Sequence, residues 1–236
     1  ITERLVGSEM CIRDSNGTLD IEKFDMKNFF YTESYLFKHL TMGEKAVTIF
    51  EAAFAIFLLA LFAPIMIVVA AAIKVSMGGK ILYSQTRVGK DGKNFSIYKF
   101  RTMIENAEAK TGAILASKND PRITTLGKFL RASHLDELPQ LLNVLKGDMS
   151  FVGPRPERPE FVEIYEKEIV KYTRRREVKP GITGLAQICL PYDATASEKI
   201  QYDVYYIDQR HSVVFNILIS YYTAIKMVSF MKFLKN

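Results

Sequence analysis

Asp136 and Glu137 stand side by side in SHLDELPQLLNVLKGDMSFVGPRPE, residues 133–157. Two adjacent carboxyls at the head of a short apolar helix have a plain structural use. Acids in a first helical turn meet the positive end of the helix dipole. Ser133, three residues before Asp136, is placed to cap that start in a capping-box manner. Pro139 suits the same use, because N–H groups of a first turn lack intrahelical partners. A helix start is also where a carboxylate acting on a phosphate would be placed.

The company of the pair points to that second use. Arg131 lies just upstream, and Arg155 sits in Gly-Pro-Arg-Pro, where two prolines fix the backbone around it. Arginine grips phosphate through a planar fork of donors, and a fixed backbone lowers the entropy cost of holding the fork in place. A basic run, KYTRRREVK at 171–179, ends in Lys179, and Asp203 stands among tyrosines in QYDVYY. Taken singly, the run reads as a solvated face and Asp203 as a surface acid on an amphipathic helix.

The elements that must carry these residues follow from pattern. An apolar run, AVTIFEAAFAIFLLALFAPIMIVVAAAI at 46–73, contains one charge, Glu51, and 22 uncharged residues from Ala52 to Ile73. That length spans about 30 Å of hydrocarbon as a helix. Pro64 inside it predicts a kink, since proline removes a donor and crowds the preceding turn. Basic residues flank both ends, Lys45 before and Lys74, Lys80, Arg87 and Lys90 after, so the charge bias fits a single span or a helix that returns to its own side. ILYSQ and NFSIYKFR, either side of a Lys-Asp-Gly-Lys turn, predict a β-hairpin. Helices are expected over Met103–Thr111, TLGKFLRAS, LDELPQLLNVLK, PEFVEIYEKEIVKY and SEKIQYDVYYIDQR, with Gly147 stopping the third. KPGITGLAQI reads as a turn and a short strand. The tail from Val213, apolar but interrupted by Lys226, Lys232 and Lys235, reads as a helix lying on a membrane surface. Residues 1–15 read as a non-native leader and 16–44 as a linker or remnant of a longer N-terminal region.

Bulk properties narrow the function classes. The chain has 236 residues and a formal charge of +6, which favours an anionic partner. Cys11 and Cys189 show no metal spacing, and His39, His134 and His211 are far apart, which argues against structural zinc. P-loop, GxGxxG, nucleophile-elbow and HExxH signatures are absent. Nucleic acid has only net charge in its favour.

The apolar run with its proline, QTRVGKDGKNFSIYKFRTM, LDELPQLLNVLKGDMSFVGPRPE, KPGITGLAQ and YDVYYI, in that order over about 45–236, resemble the monotopic polyprenyl-phosphate phosphoglycosyl transferases, the bacterial sugar transferases. The resemblance implies an α+β fold, mostly helical with a small β-hairpin. It implies a re-entrant membrane helix at 45–75 broken at Pro64, and a catalytic domain at 76–236 on the cytoplasmic face of the inner membrane, ending in an interfacial helix. It implies transfer of a sugar-1-phosphate from a UDP-sugar to undecaprenyl phosphate, with UMP leaving, at the start of capsule, exopolysaccharide or O-antigen synthesis. Family members use an Asp-Glu dyad and magnesium, which map to Asp136 and Glu137; Arg131, Arg155 and Asp203 map to further functional positions, and Arg101 and Lys179 are assigned to substrate phosphates. Partners implied are the UDP-sugar, undecaprenyl phosphate and membrane lipids, with a homodimer left open and nucleic acid excluded. Two departures bear on detail: Ala63-Pro64 replaces a common Ser-Pro, and ICLPYDATASEK replaces an Asn-Gly-Arg type segment. The alternative reading is a non-catalytic, membrane-anchored basic scaffold.

Overall fold

The computed structural model describes residues 43–105, 107, 120–191 and 193–233, with side chains through Lys226. The expected leader and all but the end of the expected linker lie outside the described residues.

The apolar run forms one long helix, α1 (Glu44–Met77). Among the described residues it is the one helix long and apolar enough to cross a membrane. Its large side chains, including Phe50, Phe57, Ile67 and Val68, stay exposed, as residues that meet lipid rather than core would. Helical backbone continues through Pro64. A bend at Pro64 is therefore carried within one helix: proline deletes one i→i−4 bond, and the flanking turns carry on. A narrow face of α1 docks on the rest of the chain. Ala55 clusters with Ile97, Val144 and Met149, and Val69 and Ile73 cluster with Phe100 and Leu130.

The hairpin forms as expected, from β1 (Leu82–Val88) and β2 (Asn94–Phe100), antiparallel around Lys90–Gly92. Ile97 of β2 and Arg101, one residue past its end, are buried, and the same alternation puts Lys99 between them. Next come α2 (Thr125–Ala132), a 3₁₀ helix (Leu135–Gln140) and α3 (Leu141–Lys146), closed by Gly147 in the left-handed region. Asn143 of α3, fully buried, serves as a strand partner for β2. Its Nδ2 donates to Ser96 O at 2.7 Å and its Oδ1 accepts from Tyr98 N at 3.0 Å. The free edge of β2 is thereby satisfied without a third strand.

The short strand expected in KPGITGLAQI forms as β4 (Gly181–Thr183), and it pairs in parallel with β3 (Ser150–Val152). Between them lie α4 (Pro159–Glu168), with Pro159 in its first turn, and a 3₁₀ helix (Tyr172–Glu177). Then follow α5 (Leu185–Cys189), α6 (Ala196–Gln209), opened by a Thr195–Glu198 capping box, and α7 (Val213–Phe233). The Leu-Ala-Gln-Ile segment is thus helix, where strand was expected. Met103 bridges to Ile123 instead of starting a helix, and most of the expected Met103–Thr111 helix lies outside the described residues. α7 is two-sided: Phe215 and Ile219 are buried against Val152, Leu185 and Tyr206, while Ile217 and Tyr221 are exposed.

Candidate active site

The Asp136–Glu137 pair sits in the 3₁₀ helix, not at the head of an α-helix. His134 ahead of it adopts a left-handed conformation (φ 57°) and turns the chain out of α2. Ser133 does not cap this segment. Its hydroxyl donates back to Phe129 O at 2.9 Å and Leu130 O at 3.2 Å, closing α2 instead. The capping explanation of the pair is thereby corrected: no side chain caps the 3₁₀ helix, and Glu137 turns toward β2 and the Gly-Pro-Arg-Pro loop.

Glu137 is clamped there. Its Oε1 accepts from Lys99 Nζ at 2.6 Å and from Arg155 Nη2 at 2.8 Å. Burial alone would push this carboxyl up, but the Arg155 and Lys99 charges and their hydrogen bonds outweigh it and hold it well below the ordinary carboxylate range. Lys99 is itself lowered by burial, against the opposing pull of Glu137.

Asp136 is placed differently. It is 7 % exposed and makes no ion pair among the described residues. Burial, then the neighbouring Glu137 charge, pushes its carboxyl up to about 6, although Lys99, Arg131 and Arg155 pull the other way. Two adjacent acids with separated affinities for protons are the pattern of a divided role: one carboxyl is locked, the other free to act.

Arg131 is aimed by Thr102, whose Oγ1 accepts from its Nε at 2.9 Å. α2 can lie this close to Thr102 because residue 127 is glycine; a Cβ there would fall 1.9 Å from Thr102 O. Arg155 is half-exposed at its side chain, so its guanidinium reaches both Glu137 and solvent. Its carbonyl accepts from Arg175 Nη2, and Arg175 pairs with the buried Asp203 at 3.0 Å. Asp203 thus stands behind the arginine loop, not beside the dyad. Tyr206, three residues on along α6, donates to Val152 O at 2.7 Å. The YDVYY stretch therefore puts an acid and a phenol on one helix face, and both hold the segment that leads into Arg155.

Two residues expected at substrate phosphates make other contacts among the described residues. Arg101 is buried at the end of α1, where it donates to the carbonyls of Met77 and Gly78 and pairs with Glu105 at 2.9 Å. It satisfies carbonyls that a helix end leaves free. Lys179 extends toward Gly147, at the end of α3. Lys99 and Thr102 went unrecognised in the sequence as site residues. The signal was there for Lys99, a lysine on the apolar face of an alternating strand.

Among the described residues no three His, Cys, Asp or Glu side chains converge as a metal site. The dyad nonetheless fits magnesium arriving with a pyrophosphate, because that ion takes one or two carboxylates and completes its shell with phosphate and water. Both cationic partners of Glu137 bond Oε1, and Asp136 has no ion pair among the described residues.

The chain matches the model of the family described as bacterial sugar transferase over residues 43–230. It is 44% identical over 172 residues to a UDP-N-acetylgalactosamine-undecaprenyl-phosphate N-acetylgalactosaminephosphotransferase of Aeromonas hydrophila, covering 72% of this chain and 40% of that protein. It is 43% identical over 176 residues to a UDP-glucose:undecaprenyl-phosphate glucose-1-phosphate transferase of Escherichia coli K12, covering 72% and 37%. A putative undecaprenyl-phosphate N-acetylgalactosaminyl 1-phosphate transferase of Bacillus subtilis 168 is 46% identical over 147 residues, 62% of this chain and 78% of that protein. The chain belongs to the bacterial sugar transferase family. The match spans about two fifths of the length of the Aeromonas and Escherichia relatives.

Proposed function

We propose that this chain transfers a sugar-1-phosphate from a UDP-sugar to undecaprenyl phosphate, releasing UMP, at a membrane surface. The observation that carries the reading is the divided dyad: Glu137 locked by Lys99 and Arg155, Asp136 buried beside it with no ion pair among the described residues. Asp136 attacks the β-phosphorus of the UDP-sugar, forming an aspartyl phosphosugar as the bond to the UMP oxygen breaks. The acceptor phosphate then attacks the same phosphorus and frees the carboxylate. Splitting the transfer in this way lets one site handle two polyanionic substrates in turn. Arg131, fixed by Thr102, and Arg155, fixed by its loop, stabilise charge on the phosphoryl oxygens. Asp136 and Glu137 would hold magnesium, which supplies neutralisation of the pyrophosphate.

The membrane arrangement belongs to the same proposal. α1 enters from the cytoplasmic face, bends at Pro64 and returns, and α7 lies along the surface. Support comes from how α1 is tied down. Its start is paired to the hairpin turn through Glu44 and Lys90 at 3.1 Å, and its end to the other end of the hairpin through Arg101. A straight helix of 34 residues is about 51 Å long, whereas a seven-residue strand spans about 23 Å. Both ends meeting one short hairpin favours a bent helix.

The test is UMP release from membranes supplied with undecaprenyl phosphate and a panel of UDP-sugars. Release with one sugar, lost in Asp136→Asn, is the expected outcome; no release with any sugar contradicts the reading.

A further inference from the structure

Glu51 is the one charge in the apolar run, and the fold buries it. Its Oε1 accepts from Phe151 N at 3.0 Å and from the Ser150 hydroxyl. Ser150 and Val152 pair with β4, so the Phe151 N–H points away from the ladder, since successive groups of a strand face opposite sides. The carboxylate of the membrane helix is the edge partner of β3.

Backbone bonds continue from that point to Pro154. Ser150 N donates to Pro180 O at 2.9 Å, Gly153 N to Thr183 O at 2.9 Å, and Gly181 N to Pro154 O at 3.0 Å. At Gly153 a Cβ would lie 2.5 Å from Lys179 O and 2.8 Å from Gly181 N, so the backbones are in contact. Arg155 follows two residues later, its carbonyl bonded by Arg175 and its guanidinium on Glu137. The segment is thus tied on the β4 side from Ser150 to Pro154, the residue before Arg155.

We infer that Glu51 is a positioning residue for phosphoryl transfer, through which the membrane helix sets Arg155 against the dyad. The inference rests on the transferase reading above. Placing the anchor on α1 ties the geometry of the arginine to the seating of the protein in the lipid.

The test compares Glu51→Ala, Glu51→Gln, Arg155→Ala and the Glu51→Ala/Arg155→Ala double variant in nanodiscs. UMP release is measured together with amide exchange by mass spectrometry over residues 147–158. Glu51→Ala lowers kcat about tenfold with little change in KM, on the scale of a misplaced site group, and Glu51→Gln, which keeps an acceptor oxygen, recovers part of it. In the Arg155→Ala background the Glu51 substitution costs less than about twofold, because residues acting through one another are not additive. Exchange at 150–155 speeds up while the β1–β2 hairpin is unchanged. Equal fold losses in both backgrounds, or unchanged exchange at 150–155, overturns the inference. Should Glu51→Ala not fold, the same cycle with Glu51→Gln decides. Exchange needs no turnover, so a wild-type chain that releases no UMP refutes the transferase reading while the anchoring of β3 by Glu51 is still decided.

Discussion

Asp136 and Glu137 are adjacent in the chain and opposite in electrostatic state. Glu137 carries two cations on one oxygen, Lys99 at 2.6 Å and Arg155 at 2.8 Å. Asp136 is buried with no ion pair among the described residues, and burial, then the Glu137 charge, pushes its carboxyl up to about 6. Neutralising each in turn should therefore move stability in opposite directions.

For Asp136 the folded pKa lies above the ordinary 3.8. The ionised carboxylate then destabilises the fold, by an amount that grows as pH rises from about 4 to about 6 and is constant above. Asp136→Asn removes that cost. In a metal-chelating buffer the variant should unfold at higher temperature than wild type at pH 7.5, by an amount corresponding to about 2–3 kcal/mol, and the difference should vanish near pH 4. UMP release should be lost in the same variant. Stability gained where activity is lost marks a site strained for function.

For Glu137 the folded pKa lies below the ordinary 4.5, because Arg155 and Lys99 outweigh burial. Its contribution to stability is present above about pH 4.5 and is lost as pH falls toward the folded value. Glu137→Gln leaves the largely buried Lys99 and the half-exposed Arg155 without their shared anion, a loss that solvent at Arg155 holds below the about 3–5 kcal/mol of a fully buried pair. Thermal unfolding at pH 7.5 should show this loss, and the gap to wild type should narrow in acid.

Gly127→Ala tests how Arg131 is aimed. The added Cβ would lie 1.9 Å from Thr102 O, and backbone cannot yield to it without moving α2. Overpacking of this kind costs about 1–3 kcal/mol. It should also release the Thr102–Arg131 hydrogen bond. We expect a lower unfolding temperature and a loss of kcat larger than that of the surface control Lys128→Ala, measured on the same preparation.

The path of α1 is open to chemical labelling. Single cysteines placed at Lys45 and Val75, either side of Pro64, should both react with a membrane-impermeant maleimide from the cytoplasmic side. Reaction from opposite sides would establish a simple span and remove the re-entrant geometry from the proposal.

The periodic elements were legible in the sequence. The hairpin, α2, α4 and α6 follow from alternation, helical period and caps that local physics enforces. The dyad and Arg155 were legible as a constellation, and the fold brings them together. What local reading missed depends on tertiary contacts. Ser133 has a good capping spacing, but left-handed His134 turns the chain between it and the acids. A short strand was legible in KPGITGLAQI, but its parallel pairing with β3 was not: each strand is three residues, and the pair exists because Gly153 and Gly181 let two backbones touch. The bonds from Arg101 to the carbonyls at the end of α1 join residues more than twenty positions apart and have no local signal in KFRTM. Asp203 looks like a surface acid on one amphipathic helix until Arg175, 28 residues earlier, is folded against it.

The central claim is that Asp136 becomes covalently bonded to the phosphosugar. The most direct measurement is a single turnover with UDP-sugar and no polyprenyl phosphate, quenched and read by intact-protein and peptide mass spectrometry. The account predicts UMP release stoichiometric with enzyme and a sugar-phosphate adduct on the peptide containing Asp136, both absent in Asp136→Asn. UMP release that begins only after acceptor is added, with no adduct at any time, would contradict it.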